Sequence, residues 1–228
     1  MSTVTLRKLN KTFGEGELAV HALRGIDLEI GKSDFVCLSG PSGSGKTTLL
    51  NMIGGLDRPT SGEISVATKR IDQMKKGELA EMRLHNIGFI FQAYNLIPVL
   101  TVRENVEFVM QLQDVPAEIR RQKSREILNE VRLSGLEDRK PAELSGGQQQ
   151  RVAVARALVS EPALILADEP TANLDSVTAE NLMDLLRNLN NEHGITFVIS
   201  THDKLVMSYA RRLLQMQDGK IINDTRQR

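Results

Sequence analysis

Short apolar runs of strand length recur through the first half of the chain and again toward its end, with a stretch of helical period between them. Residues 3–9 (TVTLRKL) and 22–30 (ALRGIDLEI) alternate apolar and polar side chains, as a strand does with one face in the core and one in water. Residues 35–39 (FVCLS) are apolar almost throughout, the pattern of a central strand covered on both faces. That run ends in a glycine-rich loop, after which 46–53 predicts a helix. Residues 62–66, 87–91, 164–168 and 196–201 predict further strands, and 213–216 with 220–222 flank Asp218-Gly219, a pair suited to a tight hairpin turn. Between about Pro98 and Val159 the period changes. Residues 118–133 (EIRRQKSREILNEVRL) set Ile119, Ile127, Leu128 and Val131 among charges, as an amphipathic helix does, and 148–159 also predicts helix. The pattern describes an α/β core with a mostly helical lobe inserted between two of its strands. No Pro/Gly/Ser-rich linker isolates the lobe, and no internal repeat is present.

Composition narrows the picture. With 40% hydrophobic and 25% charged residues, the 228-residue chain is expected to be soluble and globular. Lys+Arg and Asp+Glu balance at 29 each, so there is no bulk attraction to nucleic acid or anionic lipid, and no nucleic-acid partner is expected. The longest apolar runs, such as 163–167, fall far short of the ~20 residues of a membrane span. The start, Met1-Ser2-Thr3-Val4-Thr5, lacks the charged and apolar regions of a signal peptide. Cys37 is the sole cysteine, which excludes an internal disulfide and suits a reducing cytoplasm. Any membrane role is then expected to come through a partner.

The most specific chemistry lies at Gly40-Pro41-Ser42-Gly43-Ser44-Gly45-Lys46-Thr47, which fits G-x-x-x-x-G-K-[ST] between a predicted strand and a predicted helix. Glycines let such a loop curl so that successive N–H groups face phosphate oxygens, and the helix N-terminus adds about half a positive charge there. Lys46 is expected to reach the β- and γ-phosphates and Thr47 to ligate Mg²⁺. A second device is Leu144-Ser145-Gly146-Gly147-Gln148 at the head of the 148–159 helix: either another nest of N–H donors for an anion, or a helix capped by Ser145. The run Leu164-Ile165-Leu166-Ala167-Asp168-Glu169 is an apolar strand ending in two acids. Beside the phosphate-loop strand it would carry Asp168 to the metal and Glu169 to the γ-phosphate; a strand leading into an acidic cap is the lesser alternative for the segment alone.

The whole chain resembles the nucleotide-binding domain of ATP-binding-cassette proteins, whose signature Leu144–Gln148 matches letter for letter. The resemblance implies a P-loop NTPase core with an antiparallel β subdomain, covering 1–95 and 160–228, and a helical subdomain at about 96–159. It implies that Phe13 stacks on adenine, with a core or edge aromatic as the lesser alternative. Gly40, Pro41, Ser42, Gly43, Ser44, Gly45, Lys46, Thr47 and Thr48 then cradle ATP, with Mg²⁺ held by Thr47, Gln92 and Asp168. Gln92 resembles the Q-loop glutamine, Asn173-Leu174-Asp175 the D-loop and His202 the switch histidine, though a plain turn and a strand-end histidine would look the same. Glu169, His202 and Lys46 are the implied catalytic residues. Ser145, Gly146, Gly147, Gln148 and Asp175 are implied to complete the ATP site of a second copy, so a homodimer of cassettes is expected. His21, His85 and His193 match no such element and are expected on the surface.

Finer texture in Gly54–Gly62, in Gly88–Gln92 with Asn95–Pro98, and in Asn173–Ser176 is similar to the ATPase subunits of lipoprotein-release and macrolide-export systems. Those subunits serve permeases with few spans and a large extracytoplasmic domain, from the cytoplasmic face of the membrane. One departure is Ala172, where that branch more often has glycine. Three function classes follow: the energy-coupling subunit of a transporter or extruder, a transmembrane signalling device, and a soluble protein acting on DNA or ribosomes. The last usually carries tandem cassettes, long coiled-coil insertions, zinc-binding cysteines or a basic linker, and none is visible here. Residues 93–109 (AYNLIPVLTVRENVEFV) are more apolar than a loop requires, which fits either docking of a short partner helix or packing of the lobe on the core.

Overall fold

Every residue of the runs 35–39 and 196–201 is buried, because both are inner strands of one sheet. The computed structural model describes residues 2–227. In chain order its elements are β1 (Ser2–Phe13), β2 (Val20–Gly31), β3 (Phe35–Ser39), α1 (Lys46–Ile53), β4 (Ser61–Val66), β5 (Lys69–Arg70), α2 (Lys76–Asn86), β6 (Ile87–Phe91), α3 (Val102–Leu112), α4 (Ala117–Glu130), α5 (Gly146–Leu158), β7 (Leu164–Asp168), α6 (Ser176–His193), β8 (Thr196–Thr201), α7 (Lys204–Tyr209), β9 (Arg212–Gln217) and β10 (Lys220–Arg226). An antiparallel sheet has the order β2-β1-β4-β5, and a second sheet the order β10-β9-β3-β8-β7-β6. In the second, β9, β3, β8, β7 and β6 run parallel while β10 pairs antiparallel at the edge.

Alternate side chains of β3 serve two cores, as the period of a strand requires. Val36 and Leu38 join Leu6, Ile30, Leu49 and Ile53, between the parallel strands and the antiparallel sheet with α1. Phe35 points the other way, to Ile165, Phe197, Val152 and Leu186 under α5 and α6, with its ring centroid 5.4 Å from that of Phe197. The three helices between β6 and β7 pack on one another, and α5 lies against β6. Gly88 permits that approach, since a Cβ there would stand 2.4 Å from the carbonyl oxygen of Ala157.

Several boundaries differ from the sequence pattern for identifiable reasons. β1 runs on from residue 9 to Phe13 because β2 and β4 pair with its two edges, with register shifts that absorb its loss of alternation. The helix expected over 118–133 spans Ala117–Glu130, and Val131 and Leu133 are buried in the turn beyond it, where Arg132 takes φ +60°. α2 and α6 were not singled out by the pattern, although Ala179, Leu182, Met183, Leu186 and Leu189 bury one helical face. Within 93–109, Leu96, Val102 and Val106 pack into the core, so much of that apolar segment is packing. No helix among the described residues is long and apolar enough to cross a membrane.

The segment entering α3 hangs on one buried amide. Asn105 is 1% exposed; it accepts from Ile97 N at 2.8 Å and donates to the carbonyls of Ile97, Leu100 and Thr101. Asn105→Ala leaves those groups without partners away from water, and is expected to lower unfolding free energy by about 1–3 kcal/mol. Urea denaturation should show a lower midpoint at an unchanged slope.

Candidate functional site

β3 delivers the chain into the glycine loop at the carboxyl end of the parallel strands, where open α/β sheets place ligands. Gly40 takes φ +151°, and a Cβ there would lie 2.3 Å from Met216 O, so the first bend of the loop admits only glycine. Lys46, 9% exposed, folds back so that Nζ donates to Gly40 O at 2.8 Å and Pro41 O at 3.1 Å. The ammonium is thereby fixed over the loop. Ser42, Gly43, Ser44, Gly45, Lys46, Thr47 and Thr48 line a cleft of about 700 Å³, together with Gln92, Glu169 and His202. Ser44 Oγ is buried beside Gly40 and has no hydrogen-bond partner, an orphaned polar atom that suits a phosphate-binding loop.

β7 is not beside β3 as expected but two strands away, across β8; Asp168 at its end meets Thr47, and Glu169, the next residue, lines the cleft. Thr47 Oγ1 donates to Asp168 Oδ1 at 3.2 Å, so a hydroxyl and a carboxylate converge as hard oxygen donors. No group of three or more His, Cys, Asp or Glu that could hold a metal occurs among the described residues. This donor set fits Mg²⁺, which uses one or two carboxylates and draws its remaining ligands from phosphates and water. Glu169 leaves the strand at φ +47°, and its Oε1 stands 2.9 Å from His202 Nδ1. The carboxylate can only accept, so Nδ1 carries the proton of this bond. Glu169 is largely covered, its side chain 19% exposed against 72% for His202. Burial pushes the Cys37 thiol up to about 12, with the charge of Glu169 adding to the shift, so Cys37 is a core residue and no nucleophile.

Gln92 follows β6 into the cleft, and its backbone oxygen accepts from Asn173 Nδ2 at 2.9 Å. The chain beyond it passes through Tyr94 and Asn95 at φ +58° and +50°, with Arg156 of α5 donating to both carbonyls at 2.9 and 2.5 Å. Gln150, wholly buried on the same helix, donates to Pro170 O at 2.6 Å. Side chains of α5 thus grip the segments following both Gln92 and Glu169.

Phe13 stands outside this cleft. It is 45% exposed at the end of β1, opposite Val20 of β2, which does line the cleft, and Lys11 Nζ lies 4.7 Å from its ring centroid. Ser145, Gly146, Gly147, Gln148 and Asp175 are not brought to the cleft either. Ser145 Oγ accepts from Gln148 N at 3.3 Å and Gln148 Oε1 from Ser145 N at 2.9 Å, so the capping arrangement is present at the start of α5. Gly146 and Gly147 abut Tyr94 and Thr178 instead. Asp175 caps α6, accepting from Thr178 Oγ1 at 2.6 Å and Thr178 N at 3.0 Å, which holds its carboxyl below the usual range.

The pattern of the chain did not mark several cleft residues. His21, expected on the surface apart from the chemistry, is exposed yet lines the cleft beside Ala22 and Arg24, and Thr12 Oγ1 lies 3.0 Å from its Nδ1. Asp218 and Gly219, recognised only as a turn, line it too. Gly219 N donates to Ser44 O at 3.1 Å and Gly219 O accepts from Arg24 N at 2.8 Å, so the β9–β10 turn props the phosphate loop. Only tertiary packing brings these residues together, and no local signal points to them.

These features define a cassette-type nucleotide fold, and the match agrees: the ABC transporter family model covers residues 23–172, and the chain belongs to that family. Among its relatives is a macrolide export ATP-binding/permease protein MacB of Mannheimia succiniciproducens, 45% identical over 225 residues. That alignment takes in 99% of this chain and 35% of the relative, so the chain spans about a third of its length. An uncharacterized ABC transporter ATP-binding protein MJ0796 of Methanocaldococcus jannaschii is 44% identical over 222 residues, with 96% of this chain and 94% of the relative covered. The dimeric structure of that cassette in a post-hydrolysis state, bound to ADP and phosphate, superposes with a TM-score of 0.90 at 43% identity over 99% of both chains.

Proposed function

We propose that the chain is an ATPase that binds ATP with Mg²⁺, closes on a second copy around two nucleotides, and releases ADP and phosphate to drive a membrane permease. The observation that carries this reading is the Glu169–His202 pair, 2.9 Å apart at a cleft whose floor is the phosphate loop. Lys46 and the backbone N–H groups of 42–48 bind the phosphates, with Thr48 closing the series. Phe13, exposed next to Val20, offers its ring face to adenine. Glu169 would take a proton from the attacking water, and His202, bonded to it through Nδ1, would hold the carboxylate in position and leave its other ring nitrogen free for the nucleotide. Thr47, Asp168 and Gln92 would hold Mg²⁺, which would supply charge neutralisation for the transferring phosphoryl group. Ser145, Gly146, Gly147, Gln148 and Asp175 lie away from the chain's own cleft, which supports their serving the nucleotide of the partner copy.

The permease is assigned to a hollow of about 440 Å³ between α2, β6 and the helical lobe at about 96–159. Leu56, Leu84, Phe89, Phe91 and Val109 line it with Arg83 and Asn95 at its polar margin, and the Phe89 and Phe91 rings stack with centroids 5.7 Å apart. Such a groove accepts the apolar face of a short helix. Its floor strand leads straight into Gln92, so occupancy and nucleotide state share one element. We infer that the protein works at the cytoplasmic face of a membrane as the motor of an export or extrusion system of macrolide-export or lipoprotein-release type, a reading that its likeness to the relatives described above supports.

The test is to tag Glu169→Gln, solubilise membranes gently in ATP and identify what co-purifies. A permease with few spans and a large extracytoplasmic domain is the expected result, and Phe91→Asp should remove it from the preparation. Recovery of ribosomes, nucleic acid or soluble proteins alone would overturn the membrane assignment.

A further inference from the structure

Ser200 is wholly buried in the apolar strand β8, and a hydroxyl in such surroundings must be hydrogen-bonded to avoid a large desolvation cost. The parallel register of β7 on β8 sets Asp168 opposite Ser200. Ser200 Oγ donates to Asp168 Oδ1 and accepts from Glu169 N at 3.3 Å, while Ser200 O accepts from the same N–H at 3.1 Å. Thr47 Oγ1 donates to that same Oδ1 at 3.2 Å. Two hydroxyls thus meet one carboxylate oxygen, and the other oxygen keeps its lone pairs.

We propose that Ser200 is a positioning residue for the ATPase reaction, orienting the Asp168 carboxylate toward Mg²⁺ and fixing the turn that presents Glu169 to water. The inference rests on the ATPase reading above. Its physical basis is twofold. A carboxylate at the end of a strand rotates freely unless a donor pins one oxygen, and ligand carboxylates held in this way bind metal better. Glu169 sits at φ +47°, a region a residue with a Cβ enters only under constraint. The shared acceptance of its N–H by Ser200 supplies that constraint and turns the side chain toward His202. Ser200 touches neither the phosphates nor the water, so its effect passes through its two neighbours.

The test uses the full chain with Ser200→Ala, Ser200→Val and the hydroxyl-retaining Ser200→Thr. Phosphate release is measured across Mg²⁺ concentrations, and Mg²⁺-dependent ATP binding is measured by calorimetry in the Glu169→Gln background, where turnover is slow enough not to disturb it. Loss of the hydroxyl should raise the Mg²⁺ requirement and lower kcat by about 10–100-fold, with KM for saturating Mg-ATP moving less than about threefold. Ser200→Thr should recover most of both. Should the apolar variants fail to fold, Ser200→Cys keeps the volume with a much weaker donor and reads the same quantities. Wild-type Mg²⁺ dependence in the hydroxyl-free variants, or lowered thermal stability alone, overturns the proposal. If wild type itself releases no phosphate, the ATPase reading falls and this inference with it; if wild type turns over and the Ser200 variants match it, only this inference falls.

Discussion

Glu169→Gln is expected to lower ATP turnover by about 10²–10⁴-fold, the usual worth of a positioned general base. That corresponds to roughly 3–5 kcal/mol of barrier. ATP binding should survive, because the amide keeps the size of the carboxylate and can still accept from His202 Nδ1 across the 2.9 Å contact. The geometry favours this acid over its neighbour as the proposed base. Asp168 already accepts from Ser200 and Thr47, whereas Glu169 follows the strand into the cleft. With hydrolysis blocked and binding intact, the closed pair of cassettes should accumulate in ATP and be visible by light scattering as a stable dimer. Rapid phosphate release by Glu169→Gln would show that the base lies elsewhere.

Much of this site was legible in the chain because its chemistry is local. The phosphate loop needs contiguous residues between a strand and a helix, and Phe35–Ser39 and Lys46–Ile53 supply them where the pattern put them. Buried parallel strands show as apolar runs, so Leu164–Asp168 and Thr196–Thr201 stand out in the chain with their ends in place. What the pattern could not show depends on contacts between distant segments. A serine within TFVIST looks like a neutral insertion until the register sets it against Asp168. Likewise the Asp218-Gly219 turn props the phosphate loop through a bond to Ser44 that no spacing rule encodes. Ser145 satisfies one of its two readings and leaves the other to be tested. Its side chain caps α5 through Gln148, which satisfies the bland alternative, yet two glycines follow it at a helix N-terminus where a cap alone asks for none.

That surplus leads to the second large effect. If the signature residues complete a partner's site, two inactive chains with different lesions should rescue each other. Lys46→Ala removes the ammonium from its own phosphate loop but leaves its signature loop whole. Gly147→Asp places a carboxylate where a phosphate would sit and leaves its own phosphate loop whole. The added Cβ would stand 2.5 Å from the Thr178 methyl group, and turning that β-branched side chain away also releases its exposed bond to Asp175, so circular dichroism first checks that the variant is folded. Each variant alone should lose more than about 100-fold in turnover, because a removed donor and an opposed charge both act on the developing phosphoryl charge. In an equal mixture, a mixed dimer pairs the intact phosphate loop of the glycine variant with the intact signature of the lysine variant. One site in two is then whole, and with random pairing at most about a quarter of wild-type sites return. A phosphate-release assay on the mixture reads this directly. Turnover well above the sum of the separate variants means the nucleotide is shared between two chains; a mixture no better than its parts means that Ser145, Gly146 and Gly147 do no more than begin a helix.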